Sequence, residues 1–371
     1  MKNYGLLAKR HGKTGNKNKM NKSLLDFFSG KKVFITGHTG FKGSWLSYLL
    51  SEHGAIVKGY SKAPNTDPNL FDLLGLENKV ESSINDINDF VKLKKAILDF
   101  EPEFILHLAA QPLVRYSYKN SLETHQTNIV GTANVLEAAR KLKNVCSVIC
   151  VTTDKVYKNK EWEFPYREID ELGGYDPYSS SKAAAELIIS SYRESFFQQG
   201  HVQIASVRAG NVIGGGDWSE DRLIPDIVRS IAKGERVEIR NPNAIRPWQH
   251  VLDPLFGYLK LAMLMHKEPR RYDQAWNFGP KSNEVKSVLD VVNVFYATND
   301  MEVDYQLSIQ DKMHEAGILK LDISKSSVFL GWTPILNSQQ AIETTARWYR
   351  SFLAEVPAEE LVKQDISLFI K

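Results

Sequence analysis

The sequence predicts an α/β protein organised around a doubly wound parallel sheet, and three observations carry that prediction. From Lys31 onward, short β-branched runs alternate with longer amphipathic stretches. The short runs are apolar at consecutive positions, as strands covered by helices on both faces must be. The first run leads through a glycine-rich turn straight into a helical pattern.

The strand-like runs cover residues 32–36, 55–60, 104–108, 147–152 and 203–208. Helical periodicity fills the intervals at 45–53, 89–100, 128–141 and 180–197. After Arg208 the alternation loosens into Gly214-Gly215-Gly216 and Asn241-Pro242, and helical patterns return at 254–266, 288–296 and 339–352. This divides the chain into a nucleotide-binding unit over 23–210, with a return segment near 247–278, and a smaller mixed α/β substrate-binding region over 211–246 and 279–371.

A length of 371 residues, with 43% hydrophobic and 25% charged content, is ordinary for a globular chain with two layered cores. Cys146 and Cys150 share one face of a short apolar run and read as small core residues, so neither a disulfide framework nor a metal site is expected. No apolar run reaches eighteen residues and no secretory leader is visible, which points away from membranes and towards the cytoplasm. The formal charge of +3 resides in residues 1–22, where Lys2, Lys9, Arg10, Lys13, Lys17, Lys19 and Lys22 meet no acidic residue. Without them the chain is mildly acidic, which argues against nucleic acid as a partner. That segment reads as an unstructured basic tail, or as an over-long start with Met20 as the true beginning.

Gly37-His38-Thr39-Gly40-Phe41-Lys42-Gly43 follows the first run and opens a helix. Glycines there permit a tight turn and close approach of backbone to a pyrophosphate, while the unpaired N–H groups of the helix start favour negative charge. The spacing Gly37, Gly40, Gly43 is one residue wider at the front than the dinucleotide fingerprint, and a purely structural turn is the alternative reading. The second run ends Tyr60-Ser61-Lys62, without the acid that usually grips an adenosine ribose; Lys62 reads as a solvated surface residue. Asp86 and Ile87 are positioned for an adenine contact, and the small pair Ala109-Ala110 would let a cofactor lie close.

Tyr178 and Lys182 are four residues apart on a helical pattern, hence on one face, where an ammonium can lower the phenol's affinity for its proton. Thr153 ends the fourth run at the sheet edge where open α/β folds bind ligands. Asp154-Lys155 beside it offers an acid and an amine, or an ordinary ion pair on a loop.

With Thr36-Gly37-x-x-Gly40-x-x-Gly43, Thr153, Tyr178 and Lys182 in this order, the chain resembles the extended short-chain dehydrogenase/reductase superfamily, with its Rossmann-type sheet, over nearly everything after Lys31. Thr153-Asp154-Lys155 resembles the Thr-Asp-Glu or Thr-Asp-Lys of the sugar-nucleotide 4,6-dehydratase branch. The loop 37–45, Gly214-Gly215-Gly216-Asp217-Trp218 and Arg246-Pro247-Trp248-Gln249-His250-Val251 narrow that likeness to enzymes acting on CDP-glucose.

The resemblance implies NAD, held by Gly37, Thr39, Gly40, Phe41, Gly43, Asp86, Ile87, Leu108, Ala109, Ala110, Asn128, Thr152, Tyr178 and Lys182. It implies a sugar and diphosphate path lined by Gln111, Arg115, Thr153, Asn211, Arg222 and Arg246. In the implied chemistry Tyr178, helped by Thr153 and Lys182, takes the 4-hydroxyl proton as hydride leaves carbon 4. Lys155 then removes the carbon 5 proton, Asp154 protonates the departing 6-hydroxyl, and the hydride returns to carbon 6. Trp218 and Trp248 read as core. Open alternatives are a dTDP- or UDP-sugar dehydratase, a related epimerase, and an idle nucleotide-sensing module. A homodimer through surface helices is expected.

Overall fold

The computed structural model describes residues 14–308 and 316–370. Its centre is a seven-stranded sheet with every neighbouring pair parallel. Six strands are β1 (Lys32–Thr36), β2 (Ile56–Ser61), β3 (Glu81–Ile84), β4 (Phe104–His107), β5 (Cys146–Val151) and β6 (Val202–Ala209); the seventh is Ala275–Phe278. The spatial order runs from Ala275–Phe278 through β6, β5, β4, β1 and β2 to β3. The order reverses between β4 and β1, which opens the crevice where such sheets bind ligands.

Alternation along the strands divides the core. Val33 and Ile35 of β1, with Leu106 and Ile149, face one apolar cluster that includes Leu46, Leu49 and Leu50 of helix α2 (Phe41–Glu52) and much of the helix Leu252–Lys267. Phe34, Ile105, Val148 and Cys150 face the other, beneath the helices Phe90–Phe100, Gly131–Ala139 and Pro177–Phe196. Both cysteines are free and buried.

Two strands of the sheet lie outside the runs predicted from sequence. Glu81–Ile84 is an outer strand reading Glu-Ser-Ser-Ile, with no residue fully buried, so it lacks an apolar signature. Ala275–Phe278 carries a polar residue in its middle, Asn277, whose side chain donates to the carbonyls of Tyr166 and Asp322 and accepts from the Tyr157 hydroxyl. In the C-terminal region Ser287 with Asp290 and Asn337 with Gln340 form reciprocal capping boxes that start the helices Val288–Thr298 and Ser338–Leu353.

The basic segment expected to be unstructured is instead helical through its described part. Helix α1 spans Thr14–Phe28 and passes unbroken through Met20; residues 1–13 lie outside the described residues. Its docking explains the difference: Leu25 and Phe28 are fully buried, and Asn18 and Asn21 donate to the carbonyls of Leu368 and Phe369 on the last helix, Ala358–Ile370. Single-chain periodicity over 1–22 contains too few apolar residues to reveal this, because the anchoring residues follow it. Replacing Phe28 by alanine is expected to cost about 3–5 kcal/mol and to lower the melting temperature measured by circular dichroism; an unchanged melt would mean that α1 does not dock.

Candidate active site

The glycine-rich turn joins β1 to α2. Gly37 has φ +75°, and a Cβ there would lie 2.7 Å from the Ala109 nitrogen, so β1 and the residues after β4 converge only because Gly37 lacks a side chain. A Cβ on Gly43 would lie 2.0 Å from the Gly37 carbonyl oxygen, which sets how tightly α2 seats on the turn. Gly40 caps α2 without a side-chain hydrogen bond, leaving the first N–H groups of the helix facing the crevice. Phe41 and Leu108, Ala109 and Ala110 are half-buried along it. These features fit a dinucleotide pyrophosphate laid across the turn.

Other residues assigned to that cofactor are spent inside the protein. Thr39 Oγ1 donates to the Lys62 carbonyl at 2.8 Å, tying the turn to the end of β2. Asn128 accepts from the Gln111 N–H and donates to the Gln111 carbonyl and Ser181 Oγ, so its amide braces the loop after β4 against the helix Pro177–Phe196. Thr152 Oγ1 donates to Glu186 Oε1 at 2.6 Å. Ile87 is buried in the second cluster, and Asp86 pairs with exposed Lys62 at 3.1 Å.

The reactive group of residues forms where β5 ends. Thr153 is extended and its side chain caps the short turn Asp154–Val156, which brings Asp154 inwards. Opposite, Asp176 caps the helix Pro177–Phe196 by accepting from the Ser179 N–H, with Pro177 preset at the first position, and the first turn of that helix presents Tyr178. Thr153 Oγ1 donates to Asp154 Oδ1 at 2.9 Å and accepts from the Lys155 N–H. Tyr178, Thr153 and Asp154 are all buried.

Charge in the cleft departs from the sequence expectation at one point. Lys182 Nζ donates to the Val151 carbonyl at 3.2 Å, and burial pushes its ammonium down to about 8, against the pull of Cys150 and Glu186. Burial raises the Tyr178 phenol to about 12; the strongest opposing influences are the nearby Thr153 hydroxyl and the Arg222 charge, rather than Lys182. Desolvation of the phenolate outweighs a lysine whose ammonium is turned to a backbone carbonyl. Asp154 is held above the usual carboxylate range by burial, although Lys155, the Thr153 hydroxyl, Arg246 and Lys42 all work against this. Its Oδ2 is buried with no hydrogen-bond partner, a costly position for a carboxylate and a tolerable one for a carboxylic acid.

Lys42, inside the glycine turn, is the residue that the sequence reading passed over. It is half-buried, and the cost of desolvation, followed by Arg222 and Lys182, brings its amine down to about 7, while Asp154 and Asp217 pull the other way. The available signal was a long cation in a turn otherwise made of glycines, His38, Thr39 and Phe41.

Among the residues assigned to substrate, Arg222 starts the helix Leu223–Lys233, pairs with Asp217 at 3.0 Å and places its charge near Tyr178 and Lys42. Arg115 reaches across to Asp221 at 2.9 Å. Asn211 lies just beyond β6, half-buried. Gln111 is turned inwards, donating to the Leu113 carbonyl and Thr124. Arg246 is buried with its guanidinium on the carbonyls of Ile245, Ala316 and Gly317, still within the field of Asp154. Trp248 is core; Trp218 packs edge-on against Trp348 and Tyr349.

Behind the site, Glu186 accepts from Arg208 Nε at 3.0 Å and Nη2 at 2.8 Å, and from Ser206 and Thr152, all fully buried. Arg208 also reaches the Tyr157 hydroxyl. This network fixes the end of β5 against β6 and the helix that carries Tyr178 and Lys182.

Fold and site together define an extended short-chain dehydrogenase/reductase. The chain belongs to the GDP-mannose 4,6 dehydratase family, whose profile matches residues 34–345. It is 47% identical to a CDP-glucose 4,6-dehydratase of Salmonella typhimurium over 333 residues, 88% of this chain and 93% of that one. It is 33% identical to a CDP-paratose 2-epimerase of Salmonella typhi, over 86% of this chain and 99% of that one. In fold it matches the crystal structure of DesIV, a dTDP-glucose 4,6-dehydratase from Streptomyces venezuelae with NAD and TYD bound, at a TM-score of 0.75 and 21% identity, covering 87% of this chain and 98% of that one.

Replacing Arg208 by methionine leaves Glu186 buried without its cation and is expected to cost about 3–5 kcal/mol, read from the urea midpoint. The double change Glu186→Gln with Arg208→Met should restore much of that stability; equal loss in both variants would show that the ion pair is not what supports the site.

Proposed function

We propose that this protein dehydrates CDP-glucose to CDP-4-keto-6-deoxyglucose, a step of deoxysugar biosynthesis, with NAD as a resident cofactor. The observation that carries the reading is the buried Asp154, with Oδ2 unpartnered, hydrogen-bonded to Thr153, within the electrostatic reach of buried Tyr178 and next in the chain to Lys155. An oxidoreductase that only moves hydride has no use for a second acid enclosed in this way; an elimination does. The nucleotide is taken from the 47% identical relative, named for CDP-glucose, which exceeds the 33% shared with a CDP-sugar epimerase.

Gly37, Gly40, Phe41 and Gly43 hold the cofactor's pyrophosphate, and Tyr178 and Lys182 border its reactive end. When bound, NAD would supply reversible hydride acceptance, from carbon 4 and back to carbon 6, and a positive ring that favours a phenolate nearby. Tyr178 Oη takes the proton of the 4-hydroxyl. The 4-ketone acidifies carbon 5, whose proton Lys155 Nζ removes, while Asp154 Oδ2 gives its proton to the 6-oxygen so that water leaves. Burial raises the Asp154 carboxyl above the usual range, which favours this role. Arg222 and Arg115 supply positive charge for the diphosphate, and Asn211 borders the sugar.

Two neighbouring surface helices present Leu122, Val130 and Leu187 at 80%, 49% and 61% exposure. We place a homodimer contact there, since a self-complementary apolar face buries such side chains. Among the described residues no helix is long and apolar enough to cross a membrane, and we assign the protein to the cytoplasm.

Incubation with CDP-, dTDP- and UDP-glucose, followed by alkali, should develop the ultraviolet absorbance of a 4-keto-6-deoxy sugar with the CDP substrate; absence of that product overturns the assignment. Tyr178→Phe should abolish oxidation at carbon 4. Lys155→Ala should oxidise and then stall, with reduced nucleotide visible near 340 nm, and full turnover by that variant would assign the carbon 5 proton to another group. Turnover should fall on the alkaline side as Asp154 loses its proton, because its carboxyl is raised and works in the protonated form. Sedimentation should give twice the chain mass for the native protein and the single mass for Leu122→Asp combined with Leu187→Asp; an unaltered dimer would locate the contact elsewhere.

A further inference from the structure

We propose that Pro247, seated against Gly210, is a positioning residue for the elimination step: together the two form a dry wall that keeps bulk water from the Asp154 carboxyl. The inference rests on the dehydration reading and deepens it. That reading needs a carboxylic acid in a site that must also attract an anionic substrate, and it leaves open what encloses the acid. One oxygen is accounted for locally, since Oδ1 accepts from the Thr153 hydroxyl at 2.9 Å. Oδ2 is buried without a hydrogen-bond partner, so the groups that cover it offer it no donor.

The geometry just beyond β6 identifies those groups. A Cβ built on Gly210 would stand 3.1 Å from Asp154 Oδ2, 2.2 Å from Cγ of Pro247 and 3.0 Å from its Cβ. Backbone, pyrrolidine ring and carboxyl therefore meet at one point, and they can do so only because residue 210 has no side chain. Pro247 is itself buried, and its neighbours hold it there. Before it, the Arg246 guanidinium rests on the carbonyls of Ile245 and Gly317. After it, the Trp248 ring donates to the Lys286 carbonyl, and the Gln249 N–H donates to the Asn211 carbonyl at 3.0 Å. Gln249–His250 pairs in parallel with Val212–Ile213, which fixes the ring beside Gly210. A proline brings methylenes and no N–H, so it excludes water from the carboxyl without hydrogen-bonding to it. The ionisable groups near Asp154 come from several elements: Lys155 on its own turn, Arg246 ahead of Pro247, Lys42 of the glycine turn, and Tyr178 on the facing helix. The three cations favour the carboxylate, and burial outweighs them. Pro247 and Gly210 supply burial at Oδ2 and carry no charge, so they act on the acid through exclusion of water alone.

The test follows single turnovers of CDP-glucose by the NAD-loaded enzyme across a pH series. The rise of reduced nucleotide reports oxidation at carbon 4, and its decay reports the elimination and hydride return that follow. Pro247→Ala removes the ring and admits water. A carboxyl less raised by burial loses its proton at lower pH, so the alkaline fall in the decay rate should begin about one pH unit below that of the native enzyme. The rise should keep its native rate, which in the same trace shows a folded, loaded site. Pro247→Val, which keeps an apolar branch over the carboxyl, should follow the native profile. Gly210→Ala alone sets a methyl group against the ring and should slow the decay. Gly210→Ala combined with Pro247→Ala puts that methyl where the ring was, 3.1 Å from Oδ2, and should recover at least half of the shift. The proposal is overturned if Pro247→Ala leaves the alkaline fall in its native place, or if rise and decay slow together at every pH, as a merely structural residue would require. It is overturned likewise if Pro247→Val shifts as far as Pro247→Ala, or if the double variant is no nearer the native profile. A native enzyme that forms no keto product overturns the dehydration reading and the wall with it, whereas an unshifted Pro247→Ala beside a productive native enzyme overturns the wall alone.

Discussion

A carboxyl group enclosed at the end of β5 is the constraint around which the site is arranged. Asp154 is buried beside Lys155, Lys42 and Arg246, and four groups work to ionise it, yet burial outweighs them and holds its carboxyl above the usual carboxylate range. That outcome is set by position. The Thr153 cap on the turn Asp154–Val156 is what draws it inwards.

Holding such a group requires a rigid frame, and the frame is polar as well as apolar. Glu186 and Arg208 form a fully buried pair whose remaining valences are taken by Thr152, Ser206 and Tyr157. Pairs of this kind add little net stability against an apolar replacement, but breaking one is costly, so they fix geometry more than they supply energy. Here the geometry is the distance between the end of β5 and the helix bearing Tyr178. Gly37 and Gly43 act on the other wall of the crevice, where absent side chains let β1, α2 and the loop after β4 close together.

The cations of the cleft are unevenly committed. Lys182 is turned to a carbonyl of β5, Arg246 to the backbone of 316–317, and Arg222 to Asp217, while Lys42 has its amine depressed to about 7 by burial first and by Arg222 and Lys182 second. This arrangement brings positive potential to the site for an anionic ligand, while burial still raises the Asp154 carboxyl. It also explains why the phenol of Tyr178 remains raised in the chain by itself: the nearest strong influences on it are burial and Asp154 on one side, Thr153 and Arg222 on the other.

Periodicity and motif spacing revealed five of the seven strands, the glycine turn and the pairing of Tyr178 with Lys182, because those depend on neighbours in sequence and on the pleat and helix periods. Glu81–Ile84 and Ala275–Phe278 were not legible, one being a polar outer strand and the other having Asn277 satisfied by residues over a hundred positions away. The same distinction runs through the site. That Thr153, Asp154 and Lys155 belong together is written in three consecutive letters; that Asp154 is dry, that Asn128, Thr152 and Gln111 face inwards, and that Lys42 joins the cleft are matters of packing between distant segments. Sequence alone determined the chemistry available to this protein, since residue type and local spacing set it. Only the tertiary structure decided which groups hold or lose a proton, since that depends on the water and charge that other parts of the chain exclude or bring near.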